Sequence, residues 1–145
     1  CEQMFVHVLF PTDFSSCADQ VFQLVKRLRA AGTKKVTILH VQDKRVMYHR
    51  QQEQLLEFDQ RDGERMTALC RALQLYGLQA EAILRHGLPW RETLQVDEEI
   101  KPSLIVIGSL GRSAIRELLA GSTFENVVRL SRRPVLAVPC QIGKN

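Results

Sequence analysis

A strand that runs directly into a glycine-rich turn constrains this chain more than any other feature of its sequence. Residues 104–107 are a continuous run of leucine, isoleucine and valine, which is typical of a parallel strand buried on both faces. Gly108 and Gly111 follow at once, and nine residues separate Gly111 from Gly121. Because glycine has no Cβ, backbone N–H groups can converge there on an anion, and a following helix adds partial positive charge. The stretch therefore predicts a phosphate site at the end of a buried strand.

A helix start is predicted directly after Gly121. Ser122 and Glu125 have the spacing of a capping box, in which each side chain bonds a backbone N–H group at the helix start. If the loop brings Gly111 beside residues 121–123, two sets of amides and two hydroxyl groups surround a di- or triphosphate. Each glycine alone is also explained as an ordinary turn residue, so the prediction depends on their combination.

Alternating strands and helices are predicted along the whole chain. The predicted strands are residues 5–10, 36–41, 79–86, 104–107 and Val135–Val138. Four helices lie between them. The first begins at Ser15 or Ser16 and ends at Gly32, and the second runs from Leu55 to Gly77. The third begins at Pro89 and stops at Pro102, and the fourth follows Gly121. Strands alternating with helices favour right-handed parallel crossovers. We therefore predict one α/β domain over residues 1–145, with a doubly wound five-stranded parallel sheet.

Two candidate ligand-binding residues lie at the carboxyl ends of the first two predicted strands. Asp13 comes directly after the first strand, and Val41 ends the second. Ligands of open α/β sheets bind outside the carboxyl ends of the strands. Asp13 can therefore accept hydrogen bonds from a ribose or help to place a metal beside phosphates, and a role as a turn cap is the alternative.

The glycine spacing and its surroundings resemble the nucleotide-binding signature of the universal stress protein family. The resemblance is carried by the G-x2-G-x9-G-S pattern that begins at Gly108, by the apolar strand before it and by Val135–Val138 after it. It implies a Rossmann-like adenine-nucleotide-binding fold with strand order 3-2-1-4-5, ATP with Mg²⁺ as the ligand, and a homodimer formed through the last strand. The family often has a histidine at the position of Leu110. Leucine lacks the polar side chain of histidine, but the backbone N–H donors of the turn are unchanged.

The resemblance also implies roles for single residues. Asp13 corresponds to an aspartate that contacts the ribose, and the backbone of Val41 to groups that contact the adenine. Arg112 and Arg116 are further candidates for a phosphate contact, and a solvent-facing position is the equal alternative for both. The predicted nucleotide-binding residues are Pro11, Thr12, Asp13, Val41, Ile107, Gly108, Leu110, Gly111, Arg112, Gly121, Ser122 and Thr123. No catalytic or metal-ligating residue is predicted.

The positive charge of the chain is concentrated around the glycine motif. The formal net charge is +4, yet residues 1–107 carry equal numbers of acidic and basic side chains, and residues 108–139 carry five arginines against two glutamates. This distribution favours an anionic ligand over a nucleic-acid surface, although a solvated arginine face is the alternative. No apolar run approaches the roughly 20 residues of a membrane-spanning helix. We expect neither nucleic acid nor a membrane as a partner.

The cysteines and histidines form no metal or disulfide pattern. The four cysteines are far apart without a C-x-x-C pair, so we predict separate, small buried thiols at Cys17, Cys70 and Cys140. A reduced, cytoplasmic protein is the corresponding prediction. The histidines are predicted to be structural, since none has a cysteine or carboxylate partner at motif spacing.

Three functions are compatible with these patterns. The first is an ATP-binding regulatory protein of the stress response, the second a slow ATP hydrolase, and the third a nucleotide-free dimeric interaction domain. Dedicated hydrolysis is disfavoured because the sequence has no Walker-type Gly-Lys-Ser/Thr and no evident general base near Gly121. The complete set of glycines disfavours the third, so ATP-binding regulation is our prediction.

Overall fold

The computed structural model describes residues 5–43, 52–109 and 123–140, with the backbone alone for residues 52–58. Its strands are β1 (His7–Pro11), β2 (Lys35–Asp43), β3 (Gln79–Gly87), β4 (Leu104–Gly108) and β5 (Val135–Val138). Its α-helices are α1 (Ser16–Arg27), α2 (Gln52–Leu75), α3 (Pro89–Ile100) and α4 (Thr123–Leu130), and a 3₁₀ turn (Leu28–Ala31) extends α1.

The five strands form one parallel sheet. Their order is β3-β2-β1-β4-β5, which confirms the predicted doubly wound topology. β1 is central: Val8 lies opposite Val36 of β2 on one side and opposite Leu104 of β4 on the other. β5 pairs only with β4 within the described sheet, so it is an edge strand, as is β3.

Helices cover both faces of the sheet and divide the core into two layers. On one face, Val21 of α1 and Met66 of α2 belong to the same buried cluster. On the other face, Val96 of α3 and Val127 of α4 belong to a second cluster. Because consecutive strand residues point to opposite faces, strands covered on both sides read as continuous apolar runs. This is why the sequence pattern predicted buried parallel strands.

Several helix ends are where the sequence predicts them. Ser15 caps α1, since its Oγ accepts a hydrogen bond from the backbone N–H of Ala18 at 3.1 Å. Gly32 and Gly77 have φ values of 107° and 97°, the left-handed conformation that ends helices. Pro89 occupies the first turn of α3, where its missing N–H is not needed. In the described part of the chain, no helix has the length and apolar character needed to cross a membrane.

Candidate functional site

A cleft opens at the carboxyl ends of β1, β2 and β4. α1 follows β1 on one face of the sheet and α4 follows β4 on the other, so the connections diverge between these two neighbouring strands, which is where such folds bind ligands. The cleft has a volume of about 830 Å³, open space at its mouth included. Its described lining is Phe10, Pro11, Thr12, Asp13, Ser15, Cys17, Ala18, Leu39, Val41, Pro89, Thr93, Ile107, Gly108, Ser109, Thr123 and Phe124.

The fold brings distant predicted site residues together at this cleft. Those that line it are Pro11, Thr12, Asp13, Val41, Ile107, Gly108 and Thr123. Those that lie outside the described residues are Leu110, Gly111, Arg112, Gly121 and Ser122. The first group comes from three strands, the turn after β1 and the start of one helix, which the parallel topology brings to one edge of the sheet.

The turn after β1, residues 11–15, presents Asp13 at the cleft. The backbone N–H of Thr12 donates to the carbonyl oxygen of Leu39 at 2.8 Å, which ties the turn to β2. Within the turn, Thr12 Oγ1 accepts from the N–H of Phe14 at 3.1 Å, and Asp13 Oδ1 accepts from the N–H of Ser15 at 3.0 Å. Asp13 therefore has both properties considered from the sequence: it caps a turn, and it lines the cleft.

One wall of the cleft is apolar. Leu39 and Val41 of β2 and Ile107 of β4 belong to or pack against the core layer beneath α3 and α4. Ile107 is buried and Val41 is half-buried, so their side chains offer an apolar surface beside the polar 11–15 turn. An apolar wall beside a few polar groups is the usual composition of a small-molecule site.

Gly108 ends β4 at a crowded position. A Cβ atom there would lie 2.5 Å from Cys17 Sγ, 3.1 Å from Val21 Cγ2 and 3.2 Å from Cys140 Sγ. The N–H of the next residue, Ser109, donates to the carbonyl oxygen of Val138 at 2.9 Å, so this hydrogen bond is part of the pairing between the ends of β4 and β5. Packing by itself therefore requires glycine at position 108, whether or not a phosphate approaches.

Cys17 and Cys140 form a disulfide, so the prediction of separate thiols at these positions is wrong. Their Cα atoms are 5.4 Å apart, although 123 residues separate them in the chain. The pairing arises because α1 begins and β5 ends at the same edge of the sheet, which the spacing of cysteines in the sequence does not reveal. Cys70 is a partly buried free thiol, and burial raises its pKa.

A buried carboxylate joins two of the helices that border the cleft, α3 and α4. Asp97 of α3 accepts a hydrogen bond from Ser131 Oγ, just after α4, at 2.9 Å, and lies 3.6 Å from Arg133 Nε. Burial raises the pKa of the Asp97 carboxyl, against the opposing effects of Ser131 and Arg133. These contacts fix α3 against the end of α4, and the beginnings of both helices line the cleft.

The cleft carries little charge in its described part. Asp13 is the one acidic or basic side chain among the described residues of the lining. Within residues 5–43, 59–109 and 123–140, no three His, Cys, Asp or Glu side chains are grouped so as to hold a metal ion.

A buried polar cluster behind the 11–15 turn was missed by the sequence analysis. His40 Nδ1 lies 2.8 Å from the carbonyl oxygen of Thr12, and His40 Nε2 lies 3.1 Å from Asp62 Oδ2. Gln42 Nε2 donates to the same carboxylate oxygen at 3.0 Å. The sequence contains one sign of this cluster. Asp62 precedes Met66 by four residues, so helical spacing predicts an apolar core residue at its position in α2, and an acid stands there instead.

Comparisons with known proteins agree on one family. The model of the universal stress protein family matches residues 4–139. Universal stress protein MJ0577 of Methanocaldococcus jannaschii is 29% identical over 154 residues, with 93% of this chain and 95% of that protein covered. The solved structure of the hypothetical protein MJ0577 is similar with a TM-score of 0.86 and 30% identity, covering 97% of this chain and 99% of that chain.

Two solved structures of lower identity contain adenine nucleotides. One is a universal stress protein in complex with cAMP, 22% identical with a TM-score of 0.63, covering 93% of this chain and 97% of that chain. The other is the universal stress protein from Archaeoglobus fulgidus in complex with dAMP, 19% identical with a TM-score of 0.65, covering 93% of this chain and 98% of that chain. At these identities the likeness to this chain is one of fold.

Proposed function

Because the chain belongs to the universal stress protein family, we propose that it is a regulatory protein of the stress response that binds ATP in the cleft. The observation that carries the proposal is the convergence of Asp13, Val41 and Gly108 around one cleft at the switch point of the sheet. The adenine nucleotides in the two complexes of the same fold support this ligand class.

Each part of the cleft suits one part of the nucleotide. Asp13 accepts hydrogen bonds from the ribose hydroxyls, and the backbone of Val41 binds the adenine against the apolar wall. The phosphates lie toward Gly108 and Thr123, where the start of α4 contributes partial positive charge and the threonine hydroxyl is a further donor. The remaining glycines of the motif complete the phosphate site in this proposal.

Mg²⁺ fits this arrangement. Magnesium prefers oxygen ligands and is commonly held by one or two carboxylates together with substrate phosphates. Because Asp13 serves the ribose in this proposal, phosphate oxygens and water would hold the ion, and the sparse charge of the described lining leaves phosphate charge to be neutralised. When bound, the ion supplies that neutralisation.

The decisive experiment compares Asp13→Asn with a matched control. Asparagine keeps an oxygen for the N–H of Ser15 but loses the negative charge, so ATP binding with Mg²⁺ should weaken about tenfold or more. Asp19→Asn, an exposed acid in the first turn of α1, should leave affinity unchanged. Isothermal titration calorimetry measures both.

Deoxynucleotides test the ribose contact itself. The wild-type protein should bind 2′-deoxy-ATP or 3′-deoxy-ATP more weakly than ATP, whereas Asp13→Asn should discriminate less between them. Equal ATP affinity of Asp13→Asn and wild type would contradict the proposed role of Asp13. No binding by wild type would favour the interaction domain, and steady release of ADP would favour the hydrolase.

A homodimer through β5 is part of the same proposal. β5 is an edge strand, Leu136 on it is 37% exposed, and the exposed side chains of Val128 and Leu130 lie on the preceding helix. An apolar edge strand is a surface that a second copy can cover. The cytoplasmic location stays a prediction, since the disulfide removes the cysteine pattern from which it was drawn.

A further inference from the structure

The side chain of His40 points away from the wall of the cleft that Leu39 and Val41 form. Consecutive residues of a strand point to opposite faces, so Leu39 and Val41 line the cleft while His40 points toward Asp62 of α2. The residue is buried, with 8% of its surface exposed. Any influence of His40 on a bound ligand must therefore pass through the residues that it contacts.

Both ring nitrogens of His40 face acceptors. Nδ1 lies 2.8 Å from the carbonyl oxygen of Thr12, and a carbonyl oxygen can only accept, so Nδ1 carries a hydrogen and donates it. Nε2 lies 3.1 Å from Asp62 Oδ2, within hydrogen-bond distance of that carboxylate. The ring is held at both ends, which leaves it one orientation.

Further contacts hold the carboxylate of Asp62. Gln42 Nε2 donates to Oδ2 at 3.0 Å, and Arg65 Nη1 lies 3.9 Å from Oδ1. Asp62 is 7% exposed, so these groups replace the water that would otherwise solvate it. A carboxylate fixed in this way can fix the imidazole in turn.

The 11–15 turn has a conformation that needs support. Phe14 has a φ of 61°, a left-handed conformation that bulky side chains rarely adopt. Its ring centroid lies 4.3 Å from that of His40, and the guanidinium carbon of Arg65 lies 5.1 Å from the Phe14 ring centroid. His40 thus contacts the turn on both sides of Asp13, through the carbonyl of Thr12 and through the ring of Phe14.

We propose that His40, oriented by Asp62, is a positioning residue that holds the 11–15 turn in the conformation that presents Asp13 to the ligand. The ligand part of this inference rests on the proposed function, whereas the turn itself is present in the free protein. Loss of the hydrogen bond to Thr12 loosens the turn and moves Asp13 from its place at the cleft.

Two amide substitutions separate positioning from general stability. Asparagine carries its amide nitrogen on Cγ, as histidine carries Nδ1, so His40→Asn keeps a donor for the Thr12 carbonyl and loses the bond to Asp62. Glutamine reaches as far as Nε2, so His40→Gln keeps the bond to Asp62 and loses the donor to Thr12. Each variant loses one buried hydrogen bond, and similar unfolding free energies are expected.

The two variants should differ in their affinity for ATP in the presence of Mg²⁺. His40→Gln is expected to bind about tenfold more weakly than wild type, and His40→Asn within about threefold of it. Asp62→Asn should lie between them, because a neutral amide holds the ring less strongly than a carboxylate. The control is His7→Asn, which loses the 2.8 Å contact between His7 Nε2 and Thr37 Oγ1 at the opposite end of the sheet and should bind normally.

Amide exchange tests the turn without any nucleotide. The N–H groups of Phe14 and Ser15 donate within the turn, so their hydrogen exchange in the free protein should be about tenfold faster in His40→Gln than in His40→Asn. Equal exchange rates in these variants would overturn the inference, as would equal ATP affinities in a protein that binds ATP. If the rates differ but wild type binds no ATP, the positioning role stands and the proposed nucleotide function fails.

Discussion

Gly108 illustrates how one residue can satisfy two requirements at once. The sequence pattern favours glycine there because phosphates approach backbone amides most closely where no Cβ intervenes. The structure adds an independent reason, since a Cβ would lie within 3.2 Å of the sulfur atoms of both Cys17 and Cys140. A substitution at this position therefore changes packing before it changes ligand binding.

Gly108→Ala should lower the free energy of unfolding by about 1–3 kcal/mol, because the added methyl group overpacks the disulfide. Gly63→Ala is the matched control. Gly63 lies inside α2 with open space around its Cβ position, so alanine there should raise the unfolding free energy by about 0.5–1 kcal/mol. Urea unfolding of both variants measures the difference, and an unchanged stability of Gly108→Ala would contradict the packing argument.

At the level of secondary-structure elements, the disulfide joins the start of α1 to the segment that follows β5. Cys17 lies in the first turn of α1, and Cys140 follows β5 by two residues. A covalent link that closes a loop of this length removes much freedom from the unfolded chain. The link also borders the cleft, since Cys17 is part of its lining.

Reduction of this disulfide should destabilise the protein by about 2–5 kcal/mol. Cys140→Ser should melt at a lower temperature than wild type and should not respond to a thiol reductant, whereas wild type should fall to a similar temperature when the reductant is added. Cys70→Ser, which alters a free thiol, should keep the response of the wild type. A melting temperature of wild type that is independent of reductant would contradict the assignment.

At the level of the whole molecule, the two edges of the sheet differ. β3 is a long edge strand of nine residues that begins with an exposed glutamine, while β5 is short and carries Leu136 at 37% exposure. Val128 and Leu130 on the preceding helix are exposed as well. A partner strand that covers an apolar edge removes apolar surface from water, which is a gain that a charged edge does not offer. The asymmetry favours β5 as the surface between two copies.

Leu136→Arg should therefore convert a dimer into a monomer, because a charge would be buried at the centre of the interface. Light scattering coupled to size exclusion should give twice the mass of the chain for wild type and the mass of one chain for the variant. Ala82→Arg, at an exposed position on β3, is the control and should remain dimeric. A monomeric wild type would remove β5 as the proposed interface.

Much of the candidate site could be predicted because its residues follow strands directly. A parallel sheet places all carboxyl ends of its strands at one edge, so Asp13 after β1 and Gly108 at the end of β4 must lie near each other once the strand order is known. That order came from the family resemblance, since periodicity along the chain contains no information about which strands are neighbours.

Local apolar spacing, turn residues and chain order account for the alternation of strands and helices, the ends of several helices and the position of Asp13 and Gly108 at the ends of strands. The pairing of Cys17 with Cys140 and the cluster of His40 and Asp62 depend on the tertiary structure. Both depend on which side chains face each other across the layers of the fold. Such contacts join residues far apart in the chain and leave no periodic signal in the sequence.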